Sequence, residues 1–175
     1  MSLPILSTVR LSLSPVTYAD INFLHQLWTL PEVRKFLWDD EVISLELARE
    51  TVEGFLRDAE TDGLGLWLIS QCDAPETAVG FTSLRHPAGS EEVELLYGLH
   101  PDVWGRGLAT EASRAVLDYC FDVLQLMRVV AGADQPHVLS LAVMKRLGMS
   151  PLPGGIPRVP GADYYVLHRD EYRIA

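Results

Sequence analysis

The segment Tyr97–Glu111, YGLHPDVWGRGLATE, concentrates the residue types able to do chemistry. Gly105 and Gly107 permit a tight backbone turn, and the apolar spacing that begins at Leu108 predicts a helix directly after it. The first amides of a helix lack partners and lie at the positive end of its dipole, so such a junction suits an anion, phosphate above all. A Gly-x-Gly before a helix is equally a plain tight turn, and spacing alone does not choose between the two. It does argue against a dinucleotide. That fingerprint needs GxGxxG near the chain start, opening a βαβ unit; here Thr110 takes the third glycine's place and the turn lies past the middle.

Charge narrows the partners. Twenty-four acids against 14 basic residues leave a net charge of −10, which excludes nucleic acid as a natural partner and favours a cationic one. Nine of the acids fall between Asp39 and Asp62, opposed only by Arg49 and Arg57. This run reads either as a solvated helix face or as the mouth of a site for an amine. The five histidines are scattered without HxxxH or HExxH spacing, and Cys72 and Cys120 form no CxxC pair, so no metal site is expected. Apolar residues make up 48%, yet charges interrupt every long apolar stretch, so no membrane-spanning helix is expected. The start, MSLPILSTVRL, lacks the pattern of a signal peptide. A cytoplasmic chain is expected.

The elements that must position these residues follow from periodicity. At 175 residues the expectation is one domain, 1–175. VRLSLSPV alternates as a strand through Val9, Leu11 and Leu13, ended by Pro15. Tyr18–Leu30 spaces its apolar residues as a helix capped by Thr17; Pro31 opens a short helix to Leu37, and Ser44 caps another through Leu56. Strands are predicted at Leu64–Ser70, Ala78–Leu84 and Glu91–Leu99, the last with Val93, Leu95, Tyr97 and Leu99 on one face. A helix runs from Leu108 to Leu124, with Leu108, Ala112, Ala115, Val116, Tyr119, Cys120 and Val123 as its buried stripe. Then come a strand Met127–Ala133, a helix His137–Leu147 ended by Gly148, the loop PLPGGIPRVPG and a strand Ala162–Arg169. This is a mixed α/β plan with one strand–helix–strand crossover around residues 91–133.

The stretch VELLYGLHPDVWGRGLATEASRAVLDYCFDVLQLMRVVAGADQPHVLSLAVMKRLGM resembles the acyl-CoA-binding core of the GNAT superfamily of N-acetyltransferases. It is most similar to the branch of ribosomal-protein N-terminal alanine and serine acetyltransferases. The family's phosphate loop, Q/R-x-x-G-x-G/A, is filled by Trp104-Gly105-Arg106-Gly107-Leu108-Ala109, with Trp first as is usual in the branch. RLSLSPVTYADINFLHQLWTLPEVRKFL and YYVLHRDEY fit as well, so the resemblance spans nearly the whole chain.

The resemblance implies a mostly antiparallel sheet of six or seven strands, flanked by helices and splayed into a V between the strand ending at Leu99 and that of Met127–Ala133. Acetyl-CoA would be the acyl donor, and no metal would be needed. Its pantetheine would run along the backbone of Tyr97, Gly98 and Leu99, and its pyrophosphate would rest on the amides of Gly105 to Ala109, helped by Thr110. His137 replaces the branch's usual Asn, which leaves its contact with the cofactor open.

Transfer to an amine requires loss of a proton, since an alkylamine is mostly protonated at pH 7, and a proton or other stabilisation for the departing thiolate. By the same resemblance Glu94 is the base candidate and Ser140 supports the thiolate, with Tyr97 or His137 in reserve; a solvated strand acid is the other reading of Glu94. Trp28 and Trp38 would border the acceptor, where aromatic faces and acids suit an ammonium; core packing is their other reading. The expected function is an acetyl-CoA-dependent N-acetyltransferase acting on a peptide N-terminus or small amine by direct transfer in a ternary complex. A catalytically silent acyl-CoA-binding sensor or scaffold is the alternative. The sequence leaves the oligomeric state open between monomer and homodimer.

Overall fold

The computed structural model describes residues 3–87, 90–134, 137–156 and 162–172. Its strands form one eight-stranded sheet in the order β1-β2-β3-β4-β5-β6-β8-β7. These are β1 (Leu6–Ser7), β2 (Leu11–Pro15), β3 (Leu66–Gln71), β4 (Ala74–Arg85), β5 (Glu94–Leu99), β6 (Arg128–Asp134), β7 (Ser150–Pro151) and β8 (Ala162–His168). Every pairing is antiparallel except β5 with β6, which are parallel and in register at Glu94 and Val130. The expected six or seven strands become eight because two-residue edges, β1 and β7, are too short to show a period.

The helices are α1 (Ile21–Thr29), α2 (Pro31–Leu37), α3 (Leu45–Thr61), α4 (Leu108–Asp118), α5 (Val138–Arg146) and α6 (Arg169–Tyr172). Against one face of the sheet, α4 and α5 bury Leu108, Val116, Val143 and Met144 on Leu13, Leu84, Leu95 and Val129. Against the other, α1 to α3 bury Leu24, Trp28, Val33 and Val52 on Leu66, Leu68 and Phe81. Local signals account for the ends. Ser44 Oγ accepts from the Leu47 amide to cap α3, Pro31 stands at the first position of α2, and Gly148 takes φ +83° just beyond α5.

Two expectations are corrected. Val9 is 94% exposed, because it lies in the hairpin turn between β1 and β2, and the buried alternation begins only at Leu11. The helix from Leu108 is α-helical only to Asp118; Tyr119–Val123 forms a π-helical turn. The wider turn rotates the stripe, so Phe121 is buried and Val123, expected inside, is exposed.

A polar clasp joins the β1–β2 hairpin to the first turn of α4. Glu111 accepts from Thr8 Oγ1 at 2.6 Å, the Arg10 amide at 3.0 Å and Arg10 Nε at 2.6 Å. Arg10 Nη1 then donates to the Arg106 carbonyl at 3.0 Å, so the same arginine steadies the glycine turn. Burial pushes the Glu111 carboxyl up, but the bonds from Thr8 and Arg10 and the charge of Arg10 outweigh it and hold the group below its ordinary value of 4.5. Stability from a depressed carboxyl is present above its unfolded value and is lost as pH falls through the folded one. Glu111→Gln should therefore lower stability at pH 7 by about 1 kcal/mol, the scale of a charge-assisted bond on a half-open surface. In thermal melts the gap from the unchanged protein should close below pH 4.5.

Candidate active site

β5 and β6 are held together at one end and part at the other. The Val130 amide donates to the Val93 carbonyl at 2.9 Å, and the only register pair is Glu94 with Val130. Beyond it a cavity of about 590 Å³ opens between Leu95–Leu99 and Gly132–Ala133, walled by α2, α5 and the start of α4. The Leu99 carbonyl accepts from the Trp104 indole at 2.7 Å. With Val93 and Leu99 both turned to this edge, strand alternation turns the Tyr97 amide and carbonyl to it as well, and those of Gly98 toward β4. Of the three residues expected to meet pantetheine with their backbone, Tyr97 thus faces the opening, while Leu99 spends its carbonyl on Trp104.

At the wide end the glycine turn does what its composition predicts. Gly105 and Gly107 adopt φ of +74° and +76°, where a side chain is strained, and Gly107 is the N-cap of α4 with no capping side chain. The Glu111 amide closes the first turn on the Gly107 carbonyl, which leaves the preceding helix amides without helical acceptors. Thr110 lines the cavity, and its hydroxyl is buried with no hydrogen-bond partner among the described residues. A cradle of free amides at a positive dipole end fits the phosphates of a coenzyme A. Trp104, Gly105, Gly107, Leu108, Ala109 and Thr110 line the cavity, whereas Arg106 is absent from its wall; its guanidinium bonds the Asp102 carbonyl.

Two hydroxyls project into the middle. Tyr97 Oη donates to the Ser140 carbonyl at 3.1 Å and lies 2.9 Å from Ser140 Oγ. Burial pushes the Tyr97 phenol up to about 12, against a smaller opposing effect of the Ser140 bond, so it remains a proton donor throughout the neutral range. His137 also lines the cavity, at the N-cap of α5, with its ring stacked on Phe36 of α2 at 3.9 Å and 18°.

Glu94 lies where the strands part, on the α1–α3 face of the sheet. It is 3% exposed, and Arg85, its cross-strand neighbour on β4, donates to Oε2 at 2.8 Å. A Cβ at Gly132 would come within 3.2 Å of Glu94 Oε1 and 2.9 Å of the Tyr164 ring, so the glycine leaves room for that carboxylate. Of its two expected environments, the solvated strand residue is ruled out.

Trp28 and Trp38 stand outside the large cavity and wall a second one, of about 240 Å³, on the same face as Glu94. Their rings lie 5.7 Å apart, and Trp28 also meets Phe81 edge-on at 5.8 Å. They are core residues and cavity wall at once. The two cavities share Leu37 and Leu96. Sequence reasoning missed the α2 residues Glu32, Val33, Phe36 and Leu37 and the floor of the smaller cavity, Ser83 and Arg85. Pro31 marked the start of this short helix, but nothing local in the sequence marked what it faces.

The family described as "Acetyltransferase (GNAT) domain" matches residues 10–150. An uncharacterised N-acetyltransferase, p20, of Bacillus licheniformis is 27% identical over 81% of this chain and 80% of its own length. The crystal structure of an acetyltransferase from Agrobacterium tumefaciens superposes with a TM-score of 0.86 at 26% identity, covering 96% of each chain. RimL, a ribosomal L7/L12 alpha-N-protein acetyltransferase solved in complex with coenzyme A, superposes with a TM-score of 0.76 at 20% identity, over 96% of this chain and 99% of that one.

Two substitutions test the cradle. Gly107→Trp should abolish coenzyme A binding in calorimetry while the chain stays folded, and Gly107→Ala should share only the backbone cost of about 1–2 kcal/mol. Thr110→Val removes one hydroxyl at nearly constant volume. It should weaken coenzyme A several-fold, as for one hydrogen bond, yet leave the melting temperature of the free protein unchanged or raised, because a buried orphan has been removed.

Proposed function

Because the chain belongs to the GNAT family of acetyltransferases and is an acetyl-CoA-dependent N-acetyltransferase, we propose that it acetylates a primary amine by direct transfer, with donor and acceptor bound together. The acceptor would be a peptide N-terminus or a small amine. One observation supports this reading: the two cavities share the lining residues Leu37 and Leu96, so a donor in the larger and an acceptor in the smaller would be neighbours, with no carrier on the protein needed between them.

Acetyl-CoA, when bound, supplies an acyl group activated as a thioester. The chain's own part is binding, orientation and proton management. The first amides of α4 and the Thr110 hydroxyl would hold the anionic end, and the Tyr97 main chain would align the remainder along β5. Trp104 keeps the end of β5 in place through its bond to Leu99. Glu94 would take the amine's proton, directly or through a water, with Arg85 balancing its charge. Ser140 Oγ and Tyr97 Oη would hold the proton that the departing sulfur needs, Ser140 as expected and Tyr97 as its hydrogen-bonded partner.

Thiol release on a panel of primary amines tests the proposal; binding of acetyl-CoA with no release on any amine would overturn it. Within it, Glu94→Gln keeps size and polarity but cannot accept the proton. Its kcat/KM should fall by about 10²–10⁴-fold near pH 7, and the deficit should shrink as pH rises and more of the amine is already neutral. Affinity for acetyl-CoA should hardly change. A pH–rate profile equal to that of the unchanged enzyme in shape and height would remove Glu94 from the mechanism.

A further inference from the structure

Among the described residues, Glu32 is the one carboxylic acid lining the large cavity, and Arg146 the one guanidinium or ammonium. They stand at opposite ends of α5. Glu32 lies on α2 one turn before Phe36, whose ring stacks on His137 at the start of α5, and Arg146 is the last residue of α5. From Ser140 to Arg146 the helix advances about 9 Å, away from the hydroxyl pair of Tyr97 and Ser140. The Arg146 carbonyl accepts from Arg114 Nη2 at 3.1 Å, which sets this end of α5 beside α4.

Helical spacing fixes which way Arg146 points. Leu139, Ala142, Val143 and Arg146 all line the cavity, and residues three and four apart share one side of a helix. Helical side chains also lean toward the N-terminus, which tips Arg146 back along the cavity wall. Lys145 is exposed too and shares the negative end of the helix dipole, yet it lies off that wall. The dipole therefore accounts for a cation in this turn and leaves unexplained the one aimed at the cavity. Acids outnumber bases 24 to 14 in the chain, and Arg10, Arg34, Arg85 and Arg128 each pair with one. Arg146 pairs with none among the described residues. We infer that Arg146 binds the 3′-phosphate of coenzyme A and makes the site select that coenzyme over its 3′-dephospho form. The first amides of α4 would take the pyrophosphate, so the 3′-phosphate is the anion still lacking a partner. It carries most of two negative charges near neutral pH, and a guanidinium matches its oxygens with paired N–H groups. The inference rests on the coenzyme A reading of the large cavity, and on the place of Arg146 for the group it meets.

The test is calorimetry at low salt on the full chain, with coenzyme A and with 3′-dephospho-coenzyme A and no acceptor. The unchanged protein should bind coenzyme A about tenfold more tightly, the scale of one charge-assisted pair. Arg146→Gln should weaken coenzyme A by that factor and leave the dephospho form unchanged, so that the preference disappears. Lys145→Gln removes the same charge one residue away and should leave the preference in place. An equal loss on both ligands in Arg146→Gln, or the same effect from Lys145→Gln, would overturn the inference. Equal binding of the two ligands by the unchanged protein would overturn the inference alone, whereas binding of neither would overturn the coenzyme A reading with it. A second readout keeps the native residue. In nitrogen-15 spectra the Arg146 Nε–H signal should shift with coenzyme A and stay in place with the dephospho form; a signal unmoved by coenzyme A would overturn the inference.

Discussion

The separation of β5 from β6 is the constraint on which the rest of the site depends. A parallel pair normally continues its ladder, yet here register is held only at Glu94 and Val130. The unpaired main chain beyond it would be expensive if buried in an apolar core, and it is tolerable because it borders a cavity. The crossover that joins the two strands is α4, which begins at the wide end of that opening. One topological feature therefore creates a backbone edge able to align an extended ligand and places a helix N-terminus at its mouth. Glu94 stands at the apex because it is the first residue of β5, beside the last point of contact. Gly132 is needed opposite it, since a Cβ there would meet the Tyr164 ring and crowd the carboxylate.

The distribution of unsatisfied polar atoms follows the same division. Several buried hydroxyls and indole nitrogens elsewhere find partners: Thr82 on the Leu96 carbonyl, Trp67 on that of Pro4, Tyr119 on that of Gly63. Thr110 borders the large cavity, and Trp28, Trp38 and Ser83 border the small one. Such atoms reduce the stability of the protein. Ser113 and Arg169 carry orphans as well but line neither cavity, and the structure offers no ligand for them.

Much of this was legible in the sequence, and the illegible parts share a cause. The glycine turn and the helix after it could be read because glycine and helical periodicity are local signals that tertiary context seldom overrides. Caps such as Ser44 and Gly148 are local too. The edges β1 and β7 span two residues each, and no period can show in two residues. The π-helical turn exchanges Phe121 for Val123 on the buried stripe, a rotation that apolar spacing alone leaves undecided. The ion pair of Arg85 with Glu94 depends on cross-strand register, and register is set by the β4–β5 pairing as a whole. Ser83 looked like any strand serine; its lack of a partner is a fact of packing. The sequence likewise could not show that Trp28 and Trp38 act as core and cavity wall together.

The acidic run from Asp39 to Asp62 divides along the same line between surface and site. Seven of its nine acids are exposed, and only Asp58 lines a cavity, so most of the run is the solvated face that charge patterning alone allows. Its start has a different role. Asp39 and Asp40 adopt φ of +52° and +63°, a region costly for residues other than glycine, and two in succession need outside support. Arg34 provides it, donating from Nε to Asp40 Oδ1 at 2.9 Å while its carbonyl accepts from the Asp40 amide at 3.1 Å. That left-handed corner reverses the chain at the end of α2, directly after Trp38. The strain is spent on geometry: it turns the chain back toward α3 and so keeps the Trp38 ring against Trp28, where the wall of the smaller cavity needs it. Asp39 and Asp40 therefore contribute through the backbone shape that Arg34 supports, whereas Asp58 alone of the run stands on the wall of the smaller cavity.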